Sequence, residues 1–163
     1  MTSIRRYFEP NAAYFVTTVT KDRRPIFCNA HYCRIMLVTI QYYKVVFDFR
    51  VLGYCLMPDH VHLIIRPSAR FGLSYVMQMI KGSFVNKFNK LESRRGHVWQ
   101  KRYYDEMIRD DRQLTIQLEY VHQNPVKAGL VSSADEYLFS SYRQYHGFSH
   151  SFDFVPTIDK FSA

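Results

Sequence analysis

The stretch Leu56-Met57-Pro58-Asp59-His60-Val61-His62-Leu63-Ile64-Ile65 constrains this chain more than any other. Pro58-Asp59 is a tight-turn dipeptide between two apolar runs. It joins a strand over Val51 to Met57 with a strand over His60 to Arg66, so the pair reads as a hairpin with its histidines near the turn end. Residues i and i+2 of a strand share a face. His60 and His62 are therefore expected side by side, with Val61 turned into the core. Two imidazoles so placed can offer nitrogens to one divalent cation. The same spacing also describes two ordinary surface histidines, so the motif needs support from elsewhere in the chain.

The flanks supply a fold. Ala13 to Thr20 is β-branched and aromatic and reads as a first strand, ended by the basic turn Lys21-Asp22-Arg23-Arg24-Pro25. From about Asn29 to Phe49, Ile35, Met36, Val38, Thr39, Tyr42, Tyr43, Val46 and Phe47 recur at helical steps. Gly72 to Asn89 is a second helix, with Tyr75, Val76, Met79, Ile80, Phe84 and Phe88 on its expected buried side. Val98 to Ile108 reads as a fourth strand. Asp110 or Asp111 can cap a third helix, which Asn124-Pro125 is expected to stop. The order is βαββαβ plus a helix. That predicts an α+β fold: a ferredoxin-like or RNA-recognition-like antiparallel sheet with two helices on one face. The other face is left for a ligand or for the third helix.

Length and charge narrow the partners. At 163 residues and 47% hydrophobic content the chain is expected to form one domain, with a basic arm over residues 1–12 and a weakly patterned tail over 147–163. A net charge of +8 and a pI near 9.5 suit a polyanion such as nucleic acid, although solubility alone would also explain them. Three cysteines, Cys28, Cys33 and Cys55, with no secretory signal, point to a reduced, cytoplasmic protein with free thiols. No apolar run approaches a membrane span.

The third helix carries the second half of the candidate site. Tyr120 and Asn124 are four residues apart, a rotation of about 400°, so they stack on one helical face. If that face covers the hairpin, Asn124 is a candidate third, oxygen ligand beside His60 and His62. Mixed nitrogen and oxygen ligation suits Mn2+ or Mg2+. Read without the histidines, Tyr120 is a core residue and Asn124 a helix C-cap.

These motifs together resemble a known family. His60-Val61-His62 after Met57-Pro58-Asp59, then Trp99-Gln100-Lys101-Arg102-Tyr103-Tyr104-Asp105, then Tyr120-Val121-His122-Gln123-Asn124-Pro125-Val126-Lys127-Ala128-Gly129-Leu130-Val131 are similar to the HUH-type tyrosine transposases of small insertion sequences. Ser140-Ser141-Tyr142 and the asparagine at position 124 resemble the REP-associated branch, where insertion-sequence enzymes commonly carry glutamine. The resemblance runs from about Tyr14 to Tyr145.

The resemblance implies a metal-dependent single-stranded DNA endonuclease and strand transferase acting on REP-type hairpins. It implies His60, His62 and Asn124 as ligands of Mg2+ or Mn2+, and Tyr120 as the nucleophile that forms a 5′-phosphotyrosine. It implies either a monomer or a homodimer, and a bacterial protein close to the nucleoid. Arg5, Arg6, Arg23, Arg24, Lys81, Arg94, Arg95, Lys101 and Arg102 are candidates for a DNA track, with Lys127 a possible phosphate contact. Tyr103 and Tyr104 are the alternative nucleophiles, and their adjacency on a strand turns one of them to the core. His122 is out of helical phase with Tyr120 and receives no role. The competing reading is a non-catalytic RNA-recognition-like binding module. It accounts for charge and aromatics but not for the histidine pair with Tyr-x-x-x-Asn.

Overall fold

A computed structural model describes residues 9–149 and 156–160. Arg5, Arg6 and most of the expected basic arm lie outside the described residues, as do parts of the tail. Four strands form one antiparallel sheet: β1 (Ala13–Val19), β2 (Arg50–Met57), β3 (His60–Arg66) and β4 (Tyr104–Ile108), in the order β2-β3-β1-β4. The crossover helices α1 (Ala30–Phe47) and α2 (Leu73–Leu91) pack on one face. The helix α3 (Asp111–Lys127) packs on the other. This is the α+β, ferredoxin-like arrangement expected from the element order.

Strand alternation divides the sheet into two faces. Tyr14, Val16, Leu63, Ile65, Tyr54 and Leu56 meet α1 and α2 in a large apolar core with Met36, Met77, Ile80 and Phe84. Ala13, Phe15, Ile64, Cys55, Met57 and Ile108 meet Leu114 and Val121 of α3 in a smaller one. Gly53 sets how close α3 can come, because a Cβ there would lie 2.6 Å from a Leu118 methyl. The register slips between Val51 and Gly53, which bends β2 beneath the helix.

Several elements differ from expectation. β4 begins at Tyr104 rather than Val98. Trp99 bridges Thr20, and the Gln100 amide donates to the Val19 carbonyl, but Lys101 to Tyr103 then loop out before pairing resumes at Thr17 and Tyr104. α3 continues through Pro125 to Lys127. Proline forfeits only its own amide bond, the Ala128 amide still reaches the Asn124 carbonyl, and the chain turns out at Gly129 with φ of 71°. On α1 the buried stripe includes Tyr32, Leu37 and Ile40, while Val38, Tyr42 and Val46 are exposed. Tyr75, expected inside, stacks on Phe71 at the surface. An apolar-rich helix permits more than one phase, and the sheet beneath selects one.

The chain beyond α3 closes the free edge of β2. The Leu56 amide donates to the Phe139 carbonyl and the Ser141 amide to the Tyr54 carbonyl, each at 2.9 Å. Tyr137 and Tyr145 donate their hydroxyls to the Leu56 and Leu52 carbonyls. A short helix, α4 (Tyr142–Tyr145), follows. Further on, Asp159 exchanges hydrogen bonds with the Val51 backbone and pairs with Lys44 at 2.8 Å. An edge that would template aggregation is thus paired by the chain's own C-terminal segment.

Candidate functional site

The topology returns three elements to one end of the sheet. β1 ends there, β3 starts there, and α3 runs back toward it from its N-cap at Asp110. Nine residues of α3 advance about 13 Å, which brings Tyr120 level with the row of Cys55, His62, Thr17 and Tyr104 across the four strands. The Tyr120 ring lies 5.6 Å from that of His62 and 5.9 Å from that of Phe15, edge-on to both. The residue is 42% exposed, so it is not sealed into the core beneath α3. The Lys127 ammonium sits over the ring at 5.8 Å.

The two imidazoles converge. His60 Nε2 and His62 Nε2 are 3.1 Å apart. Each opposite ring nitrogen is tied outward: His60 Nδ1 to Asp59 Oδ1 at 2.6 Å, and His62 Nδ1 to Thr17 Oγ1 at 2.8 Å. An ionised carboxylate can only accept, so His60 Nδ1 carries a proton and donates it to Asp59. The Thr17 hydroxyl can accept or donate, so His62 is free to take either tautomer. Asp59 also receives Arg23 Nη1 at 3.0 Å. Partial burial works the other way, but the hydrogen bonds from His60 and Arg23 hold its carboxyl below the usual range. His62 is 3% exposed. Burial, and secondarily the neighbouring His60, push it down to about 3, so it stays neutral at any ordinary pH.

An imidazole whose Nδ1 is tied to a second partner is oriented to ligate a metal through Nε2. The donor set therefore fits a divalent cation. Asn124 is half-buried one turn beyond Tyr120 on α3. Among the described residues no cluster of three or more His, Cys, Asp or Glu offers a rival metal site.

The other sequence-derived candidates scatter. Arg23 is held by Asp59. Arg24, Arg95, Lys101 and Arg102 are exposed. Arg94 lies over the Phe88 ring. Tyr103 packs against the α1/α2 core from the loop before β4, and Tyr104, the first residue of β4, turns toward the α3 face, so the expected split occurs although only one of the two is on the strand. Asp59 and Thr17 were not assigned site roles from sequence. The available signals were an aspartate directly before the first histidine and a threonine two residues beyond Phe15 on the same strand face.

His122 also has a place that helical phase alone did not give it. Its Nε2 meets the Ser141 hydroxyl at 2.8 Å, and the same hydroxyl receives the Tyr54 amide at 2.9 Å. Both side chains are buried. The contact fastens α3 to β2 through the C-terminal segment, two residues from Tyr120. Burial, with a smaller effect from His146, pushes His122 down to about 4.

Comparison with known proteins places these features. Residues 9–124 match the family described as transposase IS200 like. A Haemophilus influenzae protein assigned as a REP-associated tyrosine transposase is 27% identical over 157 residues, covering 88% of this chain and 87% of that one. The REP-associated tyrosine transposase of Escherichia coli is 25% identical over 147 residues, covering 88% and 84%. The solved structure of a REP-associated tyrosine transposase bound to a REP hairpin superposes with a TM-score of 0.77 at 23% identity, over 99% of this chain and 100% of that one. The family match spans most of the chain and the solved relative shares its fold throughout; this chain is a member of the IS200-like family of transposases.

Proposed function

We propose that the chain is a metal-dependent single-stranded DNA endonuclease and strand transferase acting on REP-type hairpin DNA, with Tyr120 as nucleophile. The observation that carries this reading is the approach of the partly exposed Tyr120 ring to the His60–His62 pair, 5.6 Å from His62. His60 and His62 would hold Mg2+ or Mn2+ through Nε2, with Asn124 supplying an oxygen from α3. The bound ion would neutralise charge on the scissile phosphate as a Lewis acid.

The chain's own residues do the rest. Asp59 and Thr17 fix the two rings so that the two Nε2 atoms converge on one point. α3 fixes the phenol against Phe15 and His62. The Tyr120 oxygen attacks phosphorus, a P–O bond to the 3′ oxygen breaks, and the proton lost by the phenol balances the one gained by the leaving 3′-hydroxyl. The resulting 5′-phosphotyrosine keeps the phosphodiester energy, so attack by another 3′-hydroxyl joins strands without a nucleotide cofactor. Lys127 over the phenol, and the exposed Arg24, Lys101 and Arg102, supply positive charge for the backbone. The relative solved with a REP hairpin supports the choice of substrate.

The test is incubation with end-labelled hairpin DNA and Mn2+, followed by denaturing electrophoresis. Wild type is expected to give a covalent adduct, Tyr120→Phe none while still binding DNA, and His60→Ala none at any Mn2+ concentration. Adduct formation by Tyr120→Phe, or undiminished cleavage in EDTA, would overturn the assignment.

A further inference from the structure

Among the described residues, Tyr104 is a site-facing aromatic that the mechanism above does not use. It follows the looped-out Lys101 and Arg102 and occupies the same cross-strand row as His62 and Thr17. Two strand spacings, about 10 Å, separate it from His62. Its ring is 56% exposed, yet it is not a loose surface side chain. The hydroxyl donates to Glu106 Oε2 at 3.0 Å. Glu106 Oε1 in turn accepts from Gln113 Nε2 at 2.9 Å, and the Gln113 amide is capped by Asp110 at 2.7 Å. One edge of the ring therefore reaches, through Glu106, to the first turn of α3. Phe15 meets it at 6.2 Å, and Phe15 also touches His62 and Tyr120. The result is a continuous aromatic line from the candidate nucleophile to an exposed, pre-oriented ring.

We propose that Tyr104 is a stacking platform for a nucleobase of the single strand adjoining the phosphate that Tyr120 attacks. This rests on the functional reading above and names a further part of its substrate site. Three features favour a base over other occupants. A rigid ring with one edge hydrogen-bonded offers its face at little entropic cost. Stacking on aromatic side chains is how proteins hold unpaired bases, because every base has a π-face. Exposed cations at Lys101 and Arg102 lie three and two residues before it in the chain, and can serve a backbone phosphate of the same strand. A nucleophilic role is disfavoured: the hydrogen bond to Glu106, and then slight burial and the nearby carboxylates, raise the Tyr104 phenol above its ordinary range.

The experiment measures binding by fluorescence anisotropy with the full chain and two labelled probes, a blunt hairpin and the same hairpin carrying single-stranded extensions. Tyr104→Ala and Tyr104→Leu are expected to lose about tenfold in affinity for the extended probe and nothing for the blunt one. Tyr104→Phe, which keeps the ring, should bind both as wild type does. A single abasic position in the extension should reproduce the loss in wild type and have no further effect in Tyr104→Ala. Equal binding of the extended probe by wild type and Tyr104→Ala overturns the platform. So does a loss in Tyr104→Phe as large as in Tyr104→Ala, which would assign the effect to the hydroxyl. If wild type forms the covalent adduct but these variants bind normally, only the platform fails. If wild type forms no adduct and binds neither probe, the functional reading fails and takes the platform with it.

Discussion

The two faces of the sheet are built on the same strands and do different work. On the α1/α2 face, two long helices bury an almost wholly apolar set, with Val16, Leu63, Ile65, Met77, Ile80 and Phe84 excluded from solvent. On the α3 face a single helix covers a narrower apolar patch and leaves a polar row at one end, where His62, Thr17 and Tyr120 meet. The first face can supply most of the folding free energy, which scales with apolar area removed from water. The second can then carry buried imidazoles and an exposed phenol that a lone helix could not stabilise by packing. The division teaches that stability and chemistry have been assigned to opposite sides of the same four strands.

That comparison can be broken in three ways. The largest effect is expected from Phe84→Ala. The side chain is fully buried against Phe27 and Trp99, so its loss should cost about 3–5 kcal/mol in denaturant unfolding. Mn2+ affinity of the folded fraction should stay unchanged. A parallel loss of affinity would show that the faces are not separable.

Acid should act through the other face. His122 is held neutral at about 4 in the folded chain, whereas an unfolded histidine titrates near 6.5. Between those values the unfolded state binds the extra proton, so stability is fully present above pH 6.5 and falls as pH drops toward 4. The loss should reach about 3 kcal/mol. His62 has the same sign and extends the slope further, toward about 3. His122→Gln should flatten the pH 4–6.5 slope measured by urea unfolding. An unchanged slope would remove His122 from the account.

The smallest effect sharpens the contrast from the chemical side. Thr17→Val removes the partner of His62 Nδ1 while nearly preserving shape. Mn2+ affinity by calorimetry should fall about 10- to 100-fold, the usual worth of such an outer hydrogen bond. Thermal stability should move little. An unaltered affinity would mean that the Thr17 contact does not orient the ring.

Much of this was legible in the chain, and the omissions have a common cause. The Pro58-Asp59 hairpin, the shared face of His60 and His62, and the helical spacing of Tyr120 and Asn124 all follow from local periodicity. What periodicity could not reveal was pairing across distance. Thr17 meets His62 only because β1 lies beside β3 in a particular register. Ser141 meets His122 and Tyr54 only because the segment after α3 doubles back along β2. The loop at Lys101–Tyr103 arises because pairing to β1 lapses and resumes, which an alternating sequence does not announce. Pro125 misled for a different reason: near a helix end a proline sacrifices one bond and no more.

The hydroxyl shared by strand, helix and tail has a bearing on where this unit can be said to stop. The match to the family model ends at residue 124, inside α3, while backbone pairing to β2 continues as far as Asp159. A fragment cut at the recognisable limit would keep both imidazoles and the phenol and would still lack the serine that moors their helix. The smallest piece able to hold its chemistry in place is therefore longer than the segment the family model spans.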